Sequence, residues 1–139
     1  MKKVTVQSLV LSLVLGSPLF ADEVRKDDPL SQCYQETSNI MNDIHQAMSE
    51  CLTNKLADSK KIMDAAFGQT KASLEGIDSV QSAGAVAALE KSQTAFTLYR
   101  DTECERRAEA MMGGTGSGSV LLACQVELNN WRSDQLSNQ

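Results

Sequence analysis

Four cysteines and a single histidine are the side chains best fitted to nucleophilic, redox or metal chemistry, and their spacing decides which of these they can perform. His45 stands alone, and His45-Gln46-Ala47-Met48 lacks the glutamate and second histidine of a zinc-peptidase helix. Cys33, Cys51, Cys104 and Cys124 form no Cys-x-x-Cys pair, so they make a poor zinc site. An even number of cysteines suits two disulfides, for which three pairings exist. On one straight helix Cys33 and Cys51 would lie about 27 Å apart, far beyond bridging reach. The chain must therefore fold back between them, and the turn formers Thr37, Ser38, Asn39 and Asn42 gather near their midpoint. Cys104 and Cys124 likewise flank Gly113-Gly114-Thr115-Gly116-Ser117-Gly118, which cannot continue a helix. Each pair straddles its own hairpin, so the spacing favours Cys33 with Cys51 and Cys104 with Cys124 over the crossed pairings. Cysteines used in this way are not nucleophiles, and any Ser-His-Asp or Cys-His site would have to be assembled around His45. A helix-surface histidine is the simpler reading. The glycine segment follows a helix and lacks the GK[ST] ending of a phosphate loop, so it reads as a connector. Paired carboxylates are too common among 18 Asp and Glu to point to a glycosidase. No catalytic residue, cofactor or metal is expected.

The elements that carry these residues read as helices. Asp28-Pro29 opens a short one to about Glu36, with Asp as cap and Pro in the first turn. Asp43-Ile44-His45-Gln46 fits a capping box, and Ile44, Met48, Cys51 or Leu52, Leu56, Met63, Phe67, Leu74 and Ile77 recur at helical steps to about Ile77. Asp78-Ser79-Val80-Gln81 offers a second box. From there Leu89, Gln93, Phe96, Arg100, Cys104, Arg107 and Met111 mark one face of a third helix that stops at Gly113-Gly114. A fourth runs from about Ser119 to Leu136. Strand alternation is nowhere sustained. The expected fold is an all-α, disulfide-stapled bundle with two long antiparallel helices and shorter flanking ones.

Lys2 and Lys3, the apolar run Leu9 to Leu15, then Gly16-Ser17-Pro18 and Ala21 have the layout of a secretory signal peptide over 1–21. A flexible segment at 22–28 would precede a single domain at 29–139, in the periplasm. Losing Lys2 and Lys3 takes the formal charge from −5 to −7. Such acidity disfavours nucleic acid and anionic membranes, which call for clustered basic residues, and favours a basic protein partner. After residue 21 no apolar run approaches the roughly 20 residues of a membrane span. Asp101, Glu105 and Glu109 repeat at four-residue steps as an acidic stripe. Its ordinary role is a solvated surface beside Arg106 and Arg107, and its sharper role is a docking strip for a basic partner.

The segment Leu89-x-x-x-Gln93-x-x-Phe96-x-x-Tyr99-Arg100-Asp101-x-Glu103-Cys104, then Gly113-Gly114, then Cys124-x-x-x-Leu128-x-x-x-Arg132-x-x-x-Leu136 resembles the LprI-type lysozyme-inhibitor domain family. Upstream, Met48-x-x-Cys51, Leu56, Met63 and Phe67 fit more loosely, so the resemblance covers about residues 43–136. Phe96 stands where Trp is usual, Phe67 for Tyr and Asn129 for Thr, and the Cys33 to Cys51 interval is longer than the family's.

The resemblance implies a secreted helical domain without catalysis, a family of lysozyme inhibitors, with similar domains acting as immunity proteins against peptidoglycan-degrading effectors such as those of type VI secretion. The expected partner is a lysozyme-like muramidase, occluded at its glycan cleft. The alternative is an envelope adaptor that binds a protein without inhibiting it, and long amphipathic helices leave room for a homodimer. Two surfaces are candidates for the contact. One is the loop Gly114, Thr115, Gly116, Ser117 and Ser119, tethered by Cys104 and Cys124, which could offer hydroxyls to catalytic carboxylates. The other is the stripe Asp101, Glu105 and Glu109. Tyr99, Arg100, Asp101, Glu103 and Arg132 carry the family pattern and read as structural, with Arg100 in an Arg-carboxylate network between helices.

Overall fold

The computed structural model describes residues 28–40 and 43–138; the leader expected at 1–21, the 22–28 segment apart from Asp28, and Asn42 lie outside them. Its helices are α1 (Pro29–Thr37), α2 (Ile44–Glu75), α3 (Ser82–Glu109) and α4 (Ser117–Ser137). Asp28 caps α1 by accepting from the Leu30 and Ser31 amides at 3.3 and 3.0 Å, and Pro29 takes the position where a missing N–H costs nothing. Asp43 caps α2 through the Gln46 amide at 3.1 Å. The Gln46 side chain donates forward to Glu50 at 2.8 Å, so this box closes on one side.

Three boundaries depart from expectation. The box expected at Asp78 does not start α3: the Ser79 hydroxyl takes the Gln81 amide at 3.1 Å in a local turn, and the helix begins only at Ser82, whose hydroxyl donates back to the Leu74 carbonyl. A hydroxyl that satisfies a backbone amide locally competes with the helix it might have capped. At its far end α3 stops at Glu109, four residues before Gly113, because Met112 (φ 50°) and Gly113 (φ 76°) both take left-handed conformations. Finally, α4 starts at Ser117, so Ser117 and Ser119 belong to its first turn and not to a loop.

Both disulfides join the expected partners, Cys33 to Cys51 and Cys104 to Cys124. Each closes a loop whose restriction of the unfolded chain is worth about 3 kcal/mol. The connection makes α2 and α3 antiparallel, as expected, and α3 and α4 antiparallel in turn. Therefore α2 and α4 run parallel, with Leu52 beside Ala123, Asn129 on Ser59, and Thr70 on the Leu136 carbonyl. Small buried residues, Ser59, Ala66 and Ala123, let these two helices approach closely. One core cluster gathers Cys33, Leu52 and Ala123 with Leu30, Met48 and Leu122; a second gathers Ala66, Leu89 and Leu136 with Phe67 and Leu74.

Polar ties fix the register. Arg100 donates to Asn129 at 2.9 Å, and Asn129 donates to Ser59 at 3.1 Å, linking α3, α4 and α2. Arg132, nearly buried, donates to Gln93 and Ser92 at 2.9 and 3.0 Å and lies 5.5 Å over the Phe96 ring. Glu103 accepts from Arg106 at 2.8 Å and Arg107 at 3.0 Å, and Arg107 reaches Glu127 on α4 at 3.2 Å. Hydrogen bonds from Arg106 and then Arg107 hold the Glu103 carboxyl at about 2, below its ordinary 4.5. A carboxylate whose pKa falls on folding stabilises the fold fully above its unfolded value, and that contribution is lost as pH drops toward the folded one. In melting curves, Glu103→Gln should therefore differ from the parent most above pH 4.5 and converge with it toward pH 2. A gap that stays constant across this window would remove Glu103 as the source of acid sensitivity.

Candidate functional site

The start of α2, the turn between α3 and α4, and the start of α4 meet at one end of the bundle, with α1 laid against them. They enclose an open groove of about 360 Å³. Its apolar lining comes from Leu30 and Tyr34 of α1, Ile44 and Met48 of α2, Met111 of the turn and Val120 of α4. His45, Thr115, Gly116 and Ser119 supply its polar lining. Local chemistry explains how each wall is held. Cys33–Cys51 pins α1 beside Leu30 and Tyr34, and the Asp43 cap begins α2 so that Ile44, His45 and Met48 fall on the groove. Gly113 holds the left-handed turn that brings Met111 back, and a Cβ on Gly114 would crowd the Met111 carbonyl at 3.2 Å. The Ser117 amide bonds to the Gly114 carbonyl at 3.0 Å, which closes the turn.

No side chain caps α4 and no acidic residue lies in its first turn. With the Ser117 and Val120 amides taken by the Gly114 and Gly116 carbonyls, the Gly118 and Ser119 amides are the ones left open to an acceptor from outside, beside the Thr115 and Ser119 residues of the groove. Glu109 ends α3 two residues before Met111. Glu105 and Glu109 are exposed and have no ion-pair partner among the described residues, whereas Asp101 is bound to Arg100 at 2.7 Å. The two surfaces anticipated from sequence thus share one end: the Gly114–Ser119 segment forms part of the groove, and the last two members of the stripe lie on the helix that leads into it.

Of the five residues carrying the family pattern, four make the packed or paired contacts described above. Arg100 reaches across helices to an amide, Asn129, while its carboxylate partner Asp101 is its own neighbour on α3. Arg132 bridges α4 to α3 without a carboxylate. Tyr99 is 53% exposed; its carbonyl accepts from the Thr102 hydroxyl at 3.2 Å, and its phenol has no hydrogen bond among the described residues. Trp131, 51% exposed, packs on Phe96 with ring centroids 6.0 Å apart. Sequence reasoning missed Leu30, Tyr34, Met48 and Val120 as a surface, because each falls on an apolar helical step and reads as core. It also missed Asn129, whose place among Val126, Ser133 and Leu136 on the buried face of α4 was the available signal. Among the described residues no group of three His, Cys, Asp or Glu is placed to hold a metal ion. No helix among them is long and apolar enough to cross a membrane.

A family model described as lysozyme inhibitor LprI matches residues 32–136, which takes in most of α1, with Cys33, as well as the segment that carries the resemblance. An uncharacterized protein of Rhizobium meliloti (strain 1021) is 32% identical over 98 residues, 70% of this chain and 68% of the relative. No solved structure matches.

Proposed function

The chain belongs to the LprI lysozyme-inhibitor family, and from that premise we propose that it occludes the cleft of a lysozyme-like peptidoglycan hydrolase with the groove end of its bundle. The observation that carries the reading is convergence. An apolar groove, the uncapped start of α4, two hydroxyl-bearing residues and two unpaired glutamates occupy the same end. A muramidase cleft holds its glycan between two carboxylates. The Thr115 and Ser119 hydroxyls and the open amides of α4 can donate to such carboxylates, while the groove takes an apolar side chain from the cleft wall. No reaction is required, since a body held rigid by disulfides excludes the glycan simply by standing in its place. Glu105 and Glu109 steer a basic hydrolase toward this end, raising the rate of encounter more than the affinity. The setting consistent with the leader-like 1–21 is the periplasm, and a hydrolase delivered by type VI secretion is the target class to try first.

Cell-wall lysis by a panel of hydrolases tests this directly, with the oxidised mature protein added in increasing amounts. Loss of lysis at stoichiometric ratios for at least one of an animal-type lysozyme, a phage-type lysozyme or a secreted effector muramidase is the expected result. Unchanged lysis throughout would end the inhibitor reading, and binding without inhibition would replace it with an adaptor. Val120→Arg places a charge in the apolar lining while leaving the buried core alone, and should weaken inhibition about tenfold with melting temperature nearly unchanged. An inhibition curve superimposable on the parent's would move the contact elsewhere. Exchanging all of Gly114–Ser119 is the poorer test, because Ser117 and Ser119 lie in the first turn of α4 and the exchange would alter the helix as well as the groove.

A further inference from the structure

We propose that Cys33–Cys51 is a reducible latch on the groove: a dithiol reductant opens it before Cys104–Cys124, and opening it releases α1 and dismantles the groove while the body of α2, α3 and α4 stays folded. The inference deepens the reading of the groove as the inhibitory surface and names how that surface would be regulated.

The two disulfides differ in how they can be reached. Cys104 and Cys124 are 0% and 3% exposed, and Cys33 is 0% exposed. Cys51 alone among the four is part-exposed. Thiol–disulfide exchange needs a thiolate to reach a sulfur, so access selects Cys51. The thiolate of the reductant attacks Cys51 Sγ, the S–S bond breaks, and the Cys33 sulfur leaves with the electron pair and takes up a proton. The second thiol of the reductant then displaces Cys51 as a thiol. The dithiol ends oxidised to its own disulfide, and the cystine has gained two electrons and two protons.

The consequences differ as well. The nine residues of α1 are too few to hold a helix in isolation, so α1 depends on its docking. It supplies Leu30 and Tyr34 to the groove, so its release removes a wall of the site. The rest of the bundle has its own ties, namely Cys104–Cys124, the Arg100–Asn129–Ser59 chain, Arg132 on Gln93, and the cluster around Ala66, Leu89 and Leu136. A charged guard stands at the reachable sulfur: the Glu36 carboxylate lies 3.4 Å from Cys51 Sγ and is paired with Lys55 at 3.0 Å. The carboxylate cancels the Lys55 charge that would otherwise draw a thiolate in, and so slows the opening.

The test uses the oxidised mature protein in graded dithiothreitol, with quenching by an alkylating agent and mass spectrometry of the peptides. Cys33 and Cys51 should be labelled together at reductant levels that leave Cys104 and Cys124 bridged. Hydrogen exchange should rise across residues 29–37 while the centres of α2, α3 and α4 stay protected, and hydrolase inhibition should fall in step. Glu36→Gln should speed this first opening by about threefold or more without changing the second. A Cys33→Ala, Cys51→Ala double variant should reproduce the reduced state with no reductant present. Simultaneous labelling of all four cysteines, prior labelling of Cys104 and Cys124, continued protection of α1 after the bond opens, or global unfolding of the double variant would each overturn the latch. If labelling and exchange follow the expected order while the oxidised protein inhibits no hydrolase, the latch stands and the inhibitory reading falls.

Discussion

Leu52→Ala should lower the stability of the oxidised protein by about 3–4 kcal/mol, in the middle of the range for buried leucines. In thermal melts this corresponds to a fall on the order of 15 °C for a domain of this size. Leu52 is 0% exposed and sits where α1, α2 and α4 meet, against Cys33 and Ala123. The cost of such a truncation depends on how far the surroundings collapse into the space left behind. Here they can collapse little. Cys33 and Ala123 are too short to reach across, and the disulfide of the adjacent Cys51 holds α1 at its distance. The same residues support Leu30 and Met48, so the groove should lose definition along with stability. Ile62→Ala is the matched control on the same helix: at 56% exposure it should change stability by less than about 0.5 kcal/mol. Equal losses for the two variants would mean that the junction of α1, α2 and α4 is not the tight core described above.

What could be read from sequence and what could not divide along a physical line. Helix starts at Asp28 and Asp43, and both disulfides, rest on interactions within a few residues or on the bridging reach of a pair of sulfurs, and the chain displays these directly. The start of α3 was misplaced because a capping pattern at Asp78–Gln81 is indistinguishable, by residue type, from the turn in which Ser79 holds the Gln81 amide. Its end was misplaced because Met112 adopts a left-handed conformation that side-chain type does not announce. The groove was beyond sequence reasoning for a different reason. Its walls come from α1, α2, the turn before α4, and α4, and only the parallel placement of α2 and α4 turns their apolar residues into one surface. Periodicity marks Met48 as apolar on a helical face but does not say whether a neighbour covers that face.

Asn129→Ala should cost about 2–4 kcal/mol in chemical denaturation, comparable to the loss of a large core side chain although no hydrophobic contact of note is removed. Asn129 is 0% exposed and is the middle link between helices: its carbonyl oxygen accepts from Arg100 at 2.9 Å and its amide nitrogen donates to the Ser59 hydroxyl at 3.1 Å, which itself donates to the Leu56 carbonyl at 3.0 Å. Alanine leaves the guanidinium short of an acceptor and the hydroxyl short of a donor. The Arg100 side chain is only 13% exposed, so water replaces the missing acceptor poorly. Its remaining bonds to Asp101 keep the charge paired, which is why the loss should stop short of that for a buried ion stripped of every partner. Asn129→Thr, the residue usual at this position in the pattern that the chain resembles, keeps one hydroxyl and should lose about half as much. The pairwise coupling separates a relay from two unrelated contacts. If Asn129 and Ser59 act as one chain, the double variant Ser59→Ala, Asn129→Ala should lose less than the two single losses added together, since the second truncation removes a group that the first had already left unsatisfied. Strict additivity would show that Asn129 serves Arg100 alone, and the tie from α3 through α4 to α2 would reduce to a contact between α3 and α4.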